Sequence, residues 1–189
     1  MELKEKILDG IVCVYNEKGL KFTMDDVAKA VGMSKKTIYT VFRDKEAMLL
    51  AMADYIFGSI KEEEQKIIED DSLSTIEKIR RILVVLPEGY ENVDFRQLYQ
   101  LQDKYPEINR YMAMRLETGW ETTIRLLEQG IKEGVIRNVN IPIVKMIVET
   151  ALEQFVQRDV LIQNQINYID ALQELVNIVV DGSATRDEY

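Results

Sequence analysis

Apolar residues recur at intervals of three and four along almost the whole chain, and the alternation of period two that marks a half-buried strand is hard to find. The pattern predicts an all-α protein. The first helix spans about residues 3–18, with Ile7, Ile11, Val14 and Tyr15 on one face and Gly19 placed to end it in a left-handed conformation. Thr23 reads as the N-cap of a short second helix, with Asp26 in a capping-box position and an end near Gly32. Ser34 caps a third short helix running to about Phe42. Asp44 caps a much longer fourth, whose stripe includes Met48, Met52, Tyr55, Ile56 and Ile67.

Further helices are predicted over about 75–86, 93–104, 106–133, 142–163 and 165–181. Their punctuation is Pro87, Pro106 at a helix start, Gly134 at a helix end and Asn140 as a cap before Ile141-Pro142. Residues 182–189 read as a frayed polar tail. Two units are expected, a head over residues 1–50 and a helical body over 51–189. The charged run Lys61-Glu-Glu-Glu-Gln-Lys66 suggests that part of the fourth helix is a solvated rigid connector.

A length of 189 residues with 47% apolar content is enough for a real core, which sets disordered and fibrous classes aside. Uncharged runs such as Ile82–Pro87 fall far short of the roughly 20 residues a bilayer needs, and the first six residues lack a signal peptide's apolar stretch. A soluble cytoplasmic protein is expected. The single cysteine, Cys13, permits no internal disulfide, and with no histidine neither a zinc site of the usual kind nor a Ser-His-Asp or Cys-His group is assembled. No cofactor or metal is expected.

The net charge of −9 speaks against a polyanionic partner until it is divided along the chain. Residues 1–50 hold nine basic and eight acidic residues, leaving fifteen basic against twenty-five acidic in the rest. A slightly basic head on an acidic body would place only the head on a polyanion.

Three short helices, the second and third joined by a tight Gly32-Met33 turn, have the look of a helix-turn-helix. In the third, Ile38, Val41 and Phe42 supply a buried side, leaving Lys35, Lys36, Thr37, Tyr39 and Thr40 outward. Two cations, two hydroxyls and a phenol suit phosphates and base edges, and the helix start at Ser34 adds free N–H groups at the same end. Lys45, in the first turn of the fourth helix, brings another cation.

These residues resemble the tetracycline-repressor (TetR) family of bacterial transcription regulators. The resemblance runs from Ile7 to Leu49 through Ile7-Leu8-Asp9, Tyr15, Glu17-Lys18-Gly19, Thr23-Met24, Val27-Ala28, Gly32-Met33-Ser34, Thr37-Ile38-Tyr39, Phe42 and Lys45-Glu46. It implies that Thr37, Tyr39 and Lys45 contact DNA phosphates and that Lys35, Lys36 and Thr40 lie where bases are read. Lys36 departs from the small residue common at its position. The resemblance also implies a C-terminal helical domain for ligand binding and dimerisation.

In that body the last two helices carry wide apolar faces, and Val148, Leu152, Leu172, Leu175, Val176 and Val179 are expected at an interface with a second copy. A stripe through Met112, Leu116 and Trp120, with Leu83, Phe95, Tyr99 and Phe155 from neighbouring helices, suits either plain core or a ligand pocket. The expected function is a homodimeric repressor that binds a palindromic double-stranded operator and is released by a small apolar molecule. An enzyme or protein-interaction module that keeps the helix-turn-helix as a packing element is the alternative.

Overall fold

The computed structural model describes residues 2–85, 101–157 and 160–185, with backbone alone at 102, 156 and 157. Regular structure among these residues is helical: α1 (Leu3–Lys18), α2 (Met24–Ala30), α3 (Lys35–Val41), α4 (Lys45–Glu69), α5 (Thr75–Ile82), α6 (Leu101–Lys104), α7 (Pro106–Glu117), α8 (Glu121–Glu133), α9 (Ile141–Gln157), α10 (Val160–Gln163) and α11 (Tyr168–Ser183). None of them is long and apolar enough to cross a membrane.

The second, third and fourth helices begin where their caps predict. Thr23 accepts from Asp26 N–H while the Asp26 carboxylate takes the Thr23 N–H at 2.8 Å, and Lys18 reaches the same carboxylate at 2.5 Å. These donors hold the Asp26 carboxyl at a pKa of about 2, with the Lys18 hydrogen bond the largest cause. Ser34 and Asp44 accept from Thr37 and Ala47 N–H groups at 3.1 and 2.8 Å. Gly19 has the expected positive φ of 54°, but its ψ of −145° opens a 3-10 turn over Gly19–Lys21 rather than a left-handed cap.

Later boundaries differ from the periodicity. The helix expected over 106–133 is two helices, α7 and α8, meeting at Thr118-Gly119-Trp120, where Gly119 takes a φ of 84°. Apolar spacing runs through this elbow without a signal, because Met112, Leu116 and Trp120 line one cavity on both sides of it. The helix expected over 142–163 is α9 as far as Gln157, then a separate α10. Asn167, which accepts from Ile169 N–H at 2.7 Å, starts α11 three residues later than expected. The frayed tail is corrected as far as Thr185, and residues 186–189 lie outside the described residues. Arg137 N–H donates to Ser183 O at 2.8 Å, Thr185 N–H donates to Val135 O at 3.1 Å, and Ile136 bridges Ala184. The helix from residue 75 ends at Ile82, and Pro87 and most of the helix expected over 93–104 lie outside the described residues.

Buried side chains form two clusters. The first joins α1–α4 around Ile7, Ile11, Tyr15, Phe22, Val27 and Ile38, and it also takes in Leu101 of α6 and Ile108 of α7. Burying each such side chain contributes about 1.5–3 kcal/mol. The second joins α5, α8, α9 and α11 around Ile79, Leu127, Ile136, Val148 and Val176. Arg80 of α5 fastens this cluster from outside, donating to Asn177 at 3.2 Å and Asp181 at 2.6 Å on α11.

Gly10 lies in the middle of α1, where a glycine weakens a helix. Close approach explains it: a Cβ built there would lie 2.1 Å from Val31 Cγ1, at the end of α2. Gly10→Ala is therefore expected to push α2 away and destabilise the protein by about 1–3 kcal/mol despite the better helix propensity. Adding Val31→Ala, which removes the colliding methyl, should recover part of that loss. Urea unfolding of the single and double variants measures both.

Candidate nucleic-acid interface and cavity

The third helix is anchored from behind and open in front. Ile38 is fully buried and Phe42 nearly so, whereas Ser34, Lys35, Lys36, Tyr39 and Thr40 are exposed and Thr37 is half-buried. Tyr39 is 48% exposed, a large ring left half in solvent. The hydroxyls are locally ordered: Ser34 and Thr37 share a hydrogen bond of 2.9 Å, and Thr40 donates to Thr37 O at 2.6 Å. Lys35 leans onto Asp25 of α2 at 3.0 Å, and that carboxylate raises its pKa. An exposed pair of this kind is worth little and is readily exchanged for a phosphate. Lys36 has no ion-pair partner among the described residues.

Lys45 is held largely by the chain itself. Its ammonium turns inward, donating to Leu20 O at 2.5 Å and Phe22 O at 2.7 Å, and sits 4.5 Å from the Phe22 ring centroid. Partial burial pulls its pKa down. It fastens the Gly19–Lys21 turn to the start of α4, leaving one N–H for anything outside. Arg43, between α3 and α4, was not singled out from sequence; its side chain is 83% exposed beside Asp44 at 3.0 Å. Its place next to the buried Phe42 was the signal that pointed to it.

A cavity of about 170 Å³ lies between the two buried clusters. Leu83, Met112, Leu116 and Trp120 line it. Phe95 and Tyr99 lie outside the described residues. Phe155 is not in the wall; its ring packs edge-on against Tyr168, which is, at 6.4 Å and 82°. Periodicity missed the wall nearest the head, made by Tyr15 of α1 and Leu49, Met52 and Ile56 of α4. These are also members of the first cluster, and their stripe by itself reads as head core.

The polar part of the wall was missed as well. The run Lys61–Lys66 is not solvated throughout: Glu64 is buried and lines the cavity, and the Lys61 ammonium donates to its two oxygens at 2.8 and 2.7 Å. The same ammonium donates to Gly119 O at 2.5 Å, tying α4 to the α7–α8 elbow. From α9, Lys145 donates to Glu117 O at 3.0 Å and lies 6.0 Å from the Trp120 centroid. Arg115 faces the cavity while stacked 5.1 Å over Phe57 and 3.8 Å from Asp54, which also accepts from the Tyr111 hydroxyl.

The dimer candidates fall into two groups. Val148, Leu172 and Val176 are buried inside the chain, and Leu152, Leu175 and Val179 are half-buried against its own second cluster. The surfaces that α9 and α11 leave open are instead Ile143, Met146, Ile147 and Ile178, at 47–64% exposure. Both helices are apolar on two sides, and spacing alone does not say which side the chain keeps for itself.

A helix-turn-helix head with an open polar face, set on a helical body that encloses a cavity, defines a DNA-binding transcription regulator. Residues 7–52 match the profile of bacterial regulatory proteins, tetR family. The chain is 31% identical over 150 residues to the uncharacterized HTH-type transcriptional regulator YhgD of Bacillus subtilis, covering 72% of this chain and 73% of that one. To YvaF, another uncharacterized HTH-type regulator of that organism, it is 24% identical over 186 residues, 98% of each chain. The fold resembles that of the Bacillus subtilis regulator FadR in complex with stearoyl-CoA, with a TM-score of 0.64 and 18% identity over 95% of this chain and 98% of that one. The protein belongs to the TetR family of bacterial transcription regulators.

The two head lysines should separate in experiment. Lys36→Ala is expected to keep the melting temperature of the free protein and to reduce the magnitude of the log-log salt slope of DNA binding by about 0.9 for each phosphate that is no longer neutralised. Lys45→Met should instead cost about 1–2 kcal/mol of stability, because two backbone carbonyls lose their donor. Thermal melting and salt-dependent titration of both variants give the comparison.

Proposed function

We propose that this regulator is a homodimeric repressor, released from a two-fold symmetric operator when a largely apolar small molecule fills the cavity. The carrying observation is where the cavity lies: one wall is α4 and α1 of the head's cluster, the other is α5, α8 and α9 of the body's. A molecule wedged there acts on the angle between head and body. With the bodies joined in a dimer, that angle sets the spacing of the two α3 helices, which must meet successive major grooves about 34–36 Å apart. A coupling of about 1–3 kcal/mol weakens DNA binding roughly 5- to 150-fold. The apolar lining supports an apolar occupant, and the stearoyl-CoA held by FadR is a precedent in the same fold.

The exposed Ile143, Met146, Ile147 and Ile178 support a second copy as partner, since an isologous contact covers the same face on both chains. On α3, Lys36 and Thr40 stand where base edges are met, and Thr37 and Tyr39 where phosphates are met, with Arg43 beside them. The protein's place of action is the cytoplasm, with the operator. An enzyme or a protein-only interaction module is not favoured by membership of a family of regulators.

Sedimentation and operator binding test this reading together. The wild type is expected to be a dimer at micromolar concentration. Ile147→Glu with Ile178→Glu should give a folded monomer with weaker operator binding, because two linked heads act at high effective concentration. A molecule that releases the operator should also change the fluorescence of Trp120, the only tryptophan, and raise the melting temperature of the free protein. A monomeric wild type, or release without either signal, would count against it.

A further inference from the structure

The cavity wall contains a carboxylate that the fold had no need to bury for packing. The Glu64 side chain is 10% exposed, in a wall otherwise dominated by Met52, Ile56, Leu116 and Trp120. Its partner is held differently: the Lys61 side chain is 43% exposed and reaches in from the rim. All three N–H groups of that ammonium are in use, two on Glu64 and one on the Gly119 carbonyl. The packing around it is close. A Cβ at Gly119 would stand 3.0 Å from Lys61 Cε and 3.1 Å from Nζ, so the elbow is shaped to receive this side chain.

We infer that the effector of this cavity is an apolar amine, whose ammonium replaces Lys61 on the Glu64 carboxylate and thereby frees the Gly119 carbonyl. The inference rests on the regulatory reading of the cavity given above. Exchange of one ammonium for another leaves Glu64 paired and the charge of the wall unchanged, which avoids the cost of an unpaired buried charge. Lys61, already close to half-exposed, passes into water on a flexible stem. A carboxylate ligand at this end would bring a second negative charge beside Glu64 and find no uncommitted donor on Lys61. Arg115 is the cation that could anchor an anion elsewhere in the wall, but Asp54 and the Tyr111 hydroxyl already face it.

The exchange also supplies a route to the head. Lys61 ties α4 to the elbow between α7 and α8, while two turns earlier the Tyr55 hydroxyl ties α4 to Asp9 of α1 at 2.9 Å. Loss of the first tie with the second intact removes one of the contacts that hold α4 to the body, beside those of Asp54 with α7, and leaves its tie to the head in place.

Isothermal titration calorimetry of the full chain with 1-naphthylmethylamine, 1-naphthylmethanol and 1-naphthoate tests the proposal, because the three share a ring system and differ in charge. The amine should bind about tenfold tighter than the alcohol, as a charge-assisted hydrogen bond provides, and the carboxylate weakest. In Glu64→Gln the ratio of amine to alcohol affinity should fall to about one. Lys61→Met should tighten amine binding, since the competing ammonium is gone; a purely structural role for Lys61 predicts weaker binding of every probe. Equal or tighter binding of the alcohol or the carboxylate, absence of amine binding, or an amine affinity that Lys61→Met does not raise would overturn the proposal. Salt-dependent DNA binding by the same wild-type protein is scored separately. Its loss with the amine preference intact would sink the regulator reading and leave the amine site standing, whereas a missing amine preference with DNA binding intact overturns this inference alone.

Discussion

A single helix, α4, must serve a hydrophobic core and the wall of a cavity at once. Its first turns supply Met48, Leu49 and Met52 to the core that holds α3 in place, and its middle supplies Ile56 and Ile60 to the wall of a cavity shared with the body. Because it is one continuous helix of 25 residues, these duties cannot be adjusted independently. The rest of the architecture follows: one core that joins α1–α4 to Leu101 and Ile108, a second that joins α5, α8, α9 and α11, and a cavity where the two meet.

Polar contacts are concentrated at the same junction. Asp54 and Tyr55, neighbours on α4, face opposite ways, the first toward Tyr111 and Arg115 of α7 and the second toward Asp9 of α1. Lys61 and Glu64 continue the series toward the elbow at Gly119. Exposed ion pairs contribute little to stability, but a hydrogen-bonded pair in the wall of an apolar cavity is sensitive to whatever enters. This placement puts the adaptable contacts between the two cores and leaves each core to hold its own unit rigid.

The open face of α3 depends on the opposite property. Ile38 and Phe42 lock the helix from behind, so that Tyr39 and Lys36 are presented from a fixed backbone. Lys45, turned onto Leu20 and Phe22, contributes to that rigidity from the side.

Much of the head was legible in the sequence because its signals are local. The caps Thr23, Ser34 and Asp44, the capping box to Asp26 and the three-and-four spacing of Ile38 and Phe42 act within one or two turns. They determine where the helices begin and which face of α3 is open. The body was legible only as helices with apolar faces. Whether Val148 or Ile147 points inward, whether the stripe through Trp120 runs on one helix or turns at Gly119, and whether Glu64 is solvated or walls a cavity are set by the packing of other helices. Periodicity reports that a face is apolar but not what covers it. That choice belongs to the packing of α4, α5, α8, α9 and α11 against one another, and only the tertiary structure decides it.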